Sequence, residues 1–157
     1  MSSERLVHVG VAEMRLSGDP SVRLVTYGLG PCLGIAIYEP TIKIGALLHA
    51  QLPVSLVNPS KARSNPYLYV DTGLIATLRA LVRRGATLGK LMVWMAGGSS
   101  PRGGSDIGRR NASVAEYVLR VQGLGLVESR IGGRSARSIT LDIGRGLTDI
   151  RAVEGVA

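Results

Sequence analysis

A chain of 157 residues with one cysteine, no phenylalanine and a formal charge of +8 is long enough to bury about 70% of its unfolded surface as one domain without disulfide staples. The lone thiol excludes an intrachain disulfide and fits a reducing compartment; the charged first twenty residues lack a signal-peptide core, and the longest uncharged stretch, 44–60, is too broken by polar residues and prolines to insert in a membrane. The positive surplus suits an acidic protein surface better than nucleic acid, because sixteen of nineteen basic residues are arginines scattered along the chain, few aromatics are available to stack bases, and no nucleic-acid-binding motif is present.

Residues 6–16 alternate loosely (Val7, Val9, Val11) and read as one strand, ended by Ser17-Gly18-Asp19-Pro20. Residues 22–27 predict a second strand that delivers Thr26 to the rim, just ahead of a Gly28/Gly30 turn. Two β-type runs, 33–38 and 43–49, flank a Pro-containing loop over 39–42 and predict a hairpin. With that loop, Tyr38 faces Lys43, Ala36 faces Gly45, Gly34 faces Leu47 and Cys32 faces His49. Directly opposed residues have Cβ atoms about 4.5–5.5 Å apart, so the register sets the one thiol beside an imidazole. Leu33, Ile35, Ile37, Ile44, Ala46 and Leu48 then share a core face. Cys32, Gly34, Ala36, Gly45 and His49 share the other, where small residues leave room for a further layer or a ligand.

Residues 53–66, rich in proline, asparagine and serine, predict a loop serving as a lid or partner-binding segment. Asp71 is placed as the cap of a helix with Leu74, Ile75, Leu78, Leu81 and Val82 at helical spacing, Arg83 and Arg84 near its negative end and Gly85 as its stop. Residues 91–96 predict a strand buried on both faces, leading into a glycine-rich loop over 97–105. A second helix is expected over about 111–122, with Val114, Val118 and Val121 inward. A strand over 126–131 and a hairpin of 138–143 with 147–153 complete the chain. Seven or eight strands and two main helices without βαβαβ alternation predict an α/β (α+β) layered sandwich of mixed or antiparallel sheet, one domain over 1–157.

A lone cysteine in an apolar run is ordinarily an inert small hydrophobe. Against that stand the opposed His49, the turn ahead of Cys32 and the small-residue face. The thiolate is the nucleophilic form, and a neighbouring imidazole takes the proton and lowers the thiol pKa. Thr26 is the candidate for orienting that imidazole, since its neutral hydroxyl accepts from a ring N–H. Backbone amides around Gly30 and Cys32 are candidates for binding an oxyanion, although Pro31 has none to give. No further ligands at metal spacing are evident, and the glycines fit neither a dinucleotide nor a Walker motif, so no metal and no cofactor are expected. His8 is given no role. Arg109, Arg110, Arg134 and Arg137, beside glycine-rich turns, are either substrate-rim residues or solvated charge.

Taken in order, Thr26, Leu29-Gly30-x-Cys32, His49-x-x-Leu52-Pro53, Tyr69-x-Asp71-Thr72, Ala96-Gly97-Gly98, Ile107-Gly108-x-Arg110-Asn111 and Gly132-Gly133-x-x-Ala136-Arg137-Ser138 resemble the CheD family over nearly the whole chain. These are the chemoreceptor glutamine deamidases of bacterial and archaeal chemotaxis. Pro31 stands where that family usually has serine, and Arg130-Ile131 where it often has Asp-Thr. The resemblance implies a cytoplasmic cysteine hydrolase with a sandwich fold related to a bacterial toxin deamidase. It implies conversion of glutamine side chains of methyl-accepting chemotaxis receptors to glutamate, with methyl-ester hydrolysis in some members. Cys32, His49 and Thr26 would form its catalytic triad. Gly30, Gly97, Gly98, Arg110 and Asn111 are the accompanying substrate-binding or oxyanion candidates. Receptor helices and a CheC-type phosphatase are the implied partners, and the alternative is an adaptor with weak or vestigial chemistry, for which Pro31 speaks.

Overall fold

Strands β1 (Arg5–His8), β2 (Glu13–Ser17), β3 (Val22–Leu29), β4 (Leu33–Glu39) and β5 (Ile44–Ala50) form the first third of the chain. A short helix α1 (Pro59–Ser64), helix α2 (Val70–Arg83), strand β6 (Met92–Gly97), helix α3 (Ile107–Val121) and strands β7 (Leu126–Ile131), β8 (Ala136–Asp142) and β9 (Leu147–Val153) follow. This architecture is taken from a computed structural model, which describes residues 4–153.

The strands form two mixed sheets, ordered β2-β5-β4-β6-β7 and β1-β3-β8-β9. The near-continuous apolar sequence of β4, β5 and β6 follows from burial on both faces, since only Met92 among their residues escapes full burial. On one side Leu33, Ile35, Ile37, Leu48 and Met95 pack against Leu74, Leu78 and Leu81 of α2 and Ala112, Ala115 and Leu119 of α3. On the other side Ala36, Leu47 and Trp94 meet Leu24, Leu29, Ile139 and Leu141 of the four-stranded sheet. The small-residue face is thus filled by a second sheet. A Cβ at Gly34 would lie 2.8 Å from Leu29 and Ile139, and one at Gly45 2.8 Å from Leu141.

Several expectations are corrected. Residues 6–16 are two strands, because the chain turns over 9–12, with Ala12 at φ 59°, and crosses from one sheet to the other. The hairpin register is displaced by two residues: Tyr38 pairs with Gly45, Ala36 with Leu47 and Gly34 with His49. The cause is Glu39, which stays in β4 and is buried because its carboxylate accepts the Thr41 amide (2.7 Å) and the Thr87 amide (3.4 Å). An even displacement preserves the faces while changing the partners.

The segment 53–66 is helical, not open. Asn58 and Asn65 accept from the amides of Lys61 and Tyr67, each at 3.1 Å, and Pro59 and Pro66 open the turns that follow them. Asp71 does not cap α2; its carboxylate accepts from the Ser55 amide (3.0 Å) and hydroxyl (2.9 Å), tying that segment down. Helix α3 begins four residues earlier than expected, and Val121 is 63% exposed at its end. Among the described residues, no helix is long and apolar enough to cross a membrane.

Candidate active site

Thr26 and His49 come from facing sheets and meet between them, with the Thr26 Oγ1 2.7 Å from His49 Nδ1. Gly34, the ladder partner of His49, leaves the space beside Thr26 that a side chain would fill. The same hydroxyl donates to the Val9 carbonyl at 2.7 Å. A hydroxyl has one hydrogen, so Nδ1 must be the donor in the Thr26–His49 bond. The neutral ring therefore carries its proton on Nδ1 and leaves Nε2 as a lone-pair acceptor.

His49 is 2% exposed, and its Nε2 is buried with no hydrogen-bond partner among the described residues. An orphaned buried acceptor costs about 1–3 kcal/mol, and such an exception calls for an explanation, of which a catalytic role is one. Burial pushes the His49 pKa down to about 4; the nearby His8 charge adds to this and Glu13, paired across β2, opposes it. Sequence reasoning gave His8 no part in this environment.

Cys32 lies in the turn just before β4, half-buried. Extending the ladder past its last pair, Leu33 with Ala50, puts Cys32 opposite Gln51 and on the diagonal to His49. Diagonal neighbours are about 7–8 Å apart at the backbone, within reach of long or aromatic side chains. The direct Cys32–His49 opposition is therefore corrected, although both residues keep the same face. Burial pushes the Cys32 thiol up, with its own backbone N–H partly offsetting this. The expected lowering is reversed because a buried neutral imidazole carries no positive charge to hold a thiolate.

The remaining candidates shape the turn. The Gly30 amide donates to the Gly28 carbonyl (3.0 Å) and the Gly98 amide to the Cys32 carbonyl (2.9 Å), so neither is a spare oxyanion donor. Gly97, at φ 109°, passes so close to the Cys32 carbonyl that a Cβ would collide with it. Asn111 is fully buried and its Nδ2 donates to the carbonyls of Pro31 (2.9 Å) and Gln51 (3.0 Å), a backbone role in place of substrate contact. Arg110 is exposed on α3, while Arg137 donates to the carbonyls of Gly132 (2.9 Å) and Gly97 (3.3 Å). The Cys32 amide makes no backbone hydrogen bond among the described residues.

A hollow of about 260 Å³ adjoins the turn, lined by Pro31, Ser100, Pro101, Arg102, Gly103 and Ser105. Two larger ones, of about 390 and 380 Å³, lie against α2, and neither is lined by Cys32, His49 or Thr26. Among the described residues, no group of three or more His, Cys, Asp or Glu side chains is arranged to hold a metal ion. The Val9 carbonyl, which fixes the imidazole tautomer, has no sequence signature, because its part is played by the backbone.

A family model described as CheD chemotactic sensory transduction matches residues 51–152. That match begins after Thr26, Cys32 and His49. The similar full-length proteins extend further. A probable chemoreceptor glutamine deamidase CheD of Solibacter usitatus is 39% identical over 141 residues, covering 88% of this chain and 83% of that protein. A second, of Anaeromyxobacter dehalogenans, is 36% identical over 155 residues (97% and 98%). One from Pyrococcus abyssi is 36% identical over 156 residues (96% and 94%). Among solved structures, a hypothetical protein of Bacillus licheniformis, YfiH, shares the fold with a TM-score of 0.50 and 10% identity. That similarity covers 81% of this chain and 59% of the other.

Proposed function

The chain belongs to the CheD family of chemoreceptor glutamine deamidases, and from that footing we propose that Cys32, His49 and Thr26 carry its hydrolysis of receptor glutamine side chains. The observation that carries this reading is the Val9–Thr26–His49 relay, which leaves an unprotonated Nε2 buried on the face it shares with the only cysteine. The protein is an amidohydrolase of the chemotaxis machinery, and its substrates are chemoreceptors. Cytoplasmic residence, kinship with a bacterial toxin deamidase and docking on a CheC-type phosphatase belong to the same proposal, as does the action of the whole chain as one hydrolase domain.

The resting pair is neutral, so attack is assisted by a base. His49 Nε2 takes the Cys32 proton as sulfur bonds to the glutamine side-chain carbon. The carbonyl oxygen becomes an oxyanion, for which the Cys32 amide, free of backbone hydrogen bonds among the described residues, is a donor on the attacking residue itself. The imidazolium returns its proton to nitrogen, the C–N bond breaks, ammonia leaves and a thioester remains. Water then gives a proton to Nε2 and attacks the thioester; the C–S bond breaks and the thiolate recovers its proton, leaving glutamate. Thr26 stays neutral throughout and holds Nδ1–H.

The test is ammonia release from a receptor fragment. Wild type is expected to release one ammonia per converted glutamine and Cys32→Ala none, with an unchanged melting temperature. Activity persisting in Cys32→Ala would end the reading.

A further inference from the structure

We propose that Asn111 is a positioning residue that sets the separation of the Cys32 thiol and the His49 imidazole, by taking the place of the rung at which the β4–β5 ladder gives out. The enzymatic part of this proposal rests on the deamidase reading; the geometric part does not.

The last rung of the ladder is Leu33 with Ala50. One step beyond it, the strands part. The Gln51 and Leu52 amides both turn to the Leu68 carbonyl (3.0 Å each), and the Cys32 carbonyl is taken by the Gly98 amide. Asn111 enters this fork from α3, and its one nitrogen spends both hydrogens on the two strands, bonding Pro31 on one and Gln51 on the other. A trigonal nitrogen bonded this way holds the two carbonyl oxygens about 5 Å apart. That is wider than a direct backbone rung, so the fork has a fixed opening.

The thiol sits one residue after Pro31 and the imidazole two before Gln51. The opening therefore governs their separation. Pro31 has no N–H, so its carbonyl is the one polar backbone group by which that residue can be held. With Pro31 bonded to Asn111 and Cys32 to Gly98, both carbonyls flanking the thiol-bearing residue are fixed. Helix α3 is seated on the same loop, because Gly108 lies against the Gly98 carbonyl with no space for a Cβ. The Oδ1 of Asn111 is buried without a hydrogen-bond partner among the described residues, an arrangement that a side chain serving only to fill space would avoid.

The experiment measures the Cys32 thiol pKa, from iodoacetamide rates against pH, in wild type, His49→Gln, Asn111→Ser and the double variant, together with kcat and KM. His49→Gln replaces a lone-pair acceptor, which favours the neutral thiol, with an amide that can donate to the thiolate, and is expected to lower the thiol pKa in the wild-type background while leaving it unmoved beside Asn111→Ser. Asn111→Ser is expected to lower kcat about 10- to 100-fold with KM within about twofold, the effect of a small misplacement of reacting groups. An equal His49→Gln shift in both backgrounds, or kcat within about twofold of wild type, overturns the proposal. Should the serine variant not fold, Asn111→Gln carries the same donors one methylene further out. It is expected to lose the same coupling, and retention of the wild-type coupling there overturns the proposal as well. Wild type that releases no ammonia would refute the deamidase reading, while the thiol titrations would still decide whether Asn111 sets the separation.

Discussion

Thr26 makes two hydrogen bonds through one hydroxyl, and their division of labour sets the protonation of His49. Thr26→Val keeps the shape and removes both. The Nδ1–H and the Val9 carbonyl are then left buried and unpaired, each costing about 1–3 kcal/mol, and Nε2 loses its fixed orientation. A lower melting temperature is expected, together with a fall in kcat on the order of 100-fold, as for other removals of an orienting group. Equal kcat in Thr26→Val and wild type would show that the ring is held by packing alone. At this scale residue type, spacing and resemblance singled out Cys32, His49 and Thr26 as candidates, and the structure brings Thr26 and His49 into contact. The sequence was silent on Val9, whose contribution is a carbonyl, and it misread the thiol pKa because burial of the imidazole is a tertiary fact.

Among the elements, the glycine loop after β6 stands under the Cys32 turn as a support. Gly97→Ala places a Cβ against the Cys32 carbonyl at a φ of 109°. Strained backbone of this kind costs about 1–3 kcal/mol, and both stability and kcat are expected to fall. Gly123→Ala, at φ 74° with open space around it, is the control: thermal melts should show a smaller loss and ammonia assays none. The core face of the hairpin was legible because bulky aliphatic residues alternate with glycine and alanine along β4, within strands that are apolar almost throughout. Their register was not, since a charged residue in a turn sequence reads as loop, whereas Glu39 is buried by its bonds to Thr41 and Thr87. The segment 53–66 was misjudged for a related reason. Its prolines and asparagines open and cap short helical turns there, and the same residue types serve open loops.

For the molecule as a whole, His49 makes stability depend on pH. Its pKa is about 4 in the folded protein, against 6.5 for an ordinary histidine. Between those values the unfolded chain binds a proton that the folded chain refuses, so acidification favours unfolding. The contribution is fully present above pH 6.5 and is lost on the way to pH 4, by at most about 3 kcal/mol. Denaturant melts from pH 7 to 4 are expected to show this loss and His49→Gln to flatten it; identical slopes would place the titration elsewhere. The crossing of the chain from β1 to β2 links this behaviour to the amino-terminal segment. Val9, which receives the Thr26 hydroxyl, sits on that crossing strap, buried in the core between the sheets, with its amide bonded to the Val25 carbonyl (2.8 Å) and the Ala12 amide bonded to the His49 carbonyl (2.8 Å). A protease cut or a partner that unlaces the strap is expected to silence the enzyme from a distance, leaving Cys32 and His49 in place but the ring free to swivel.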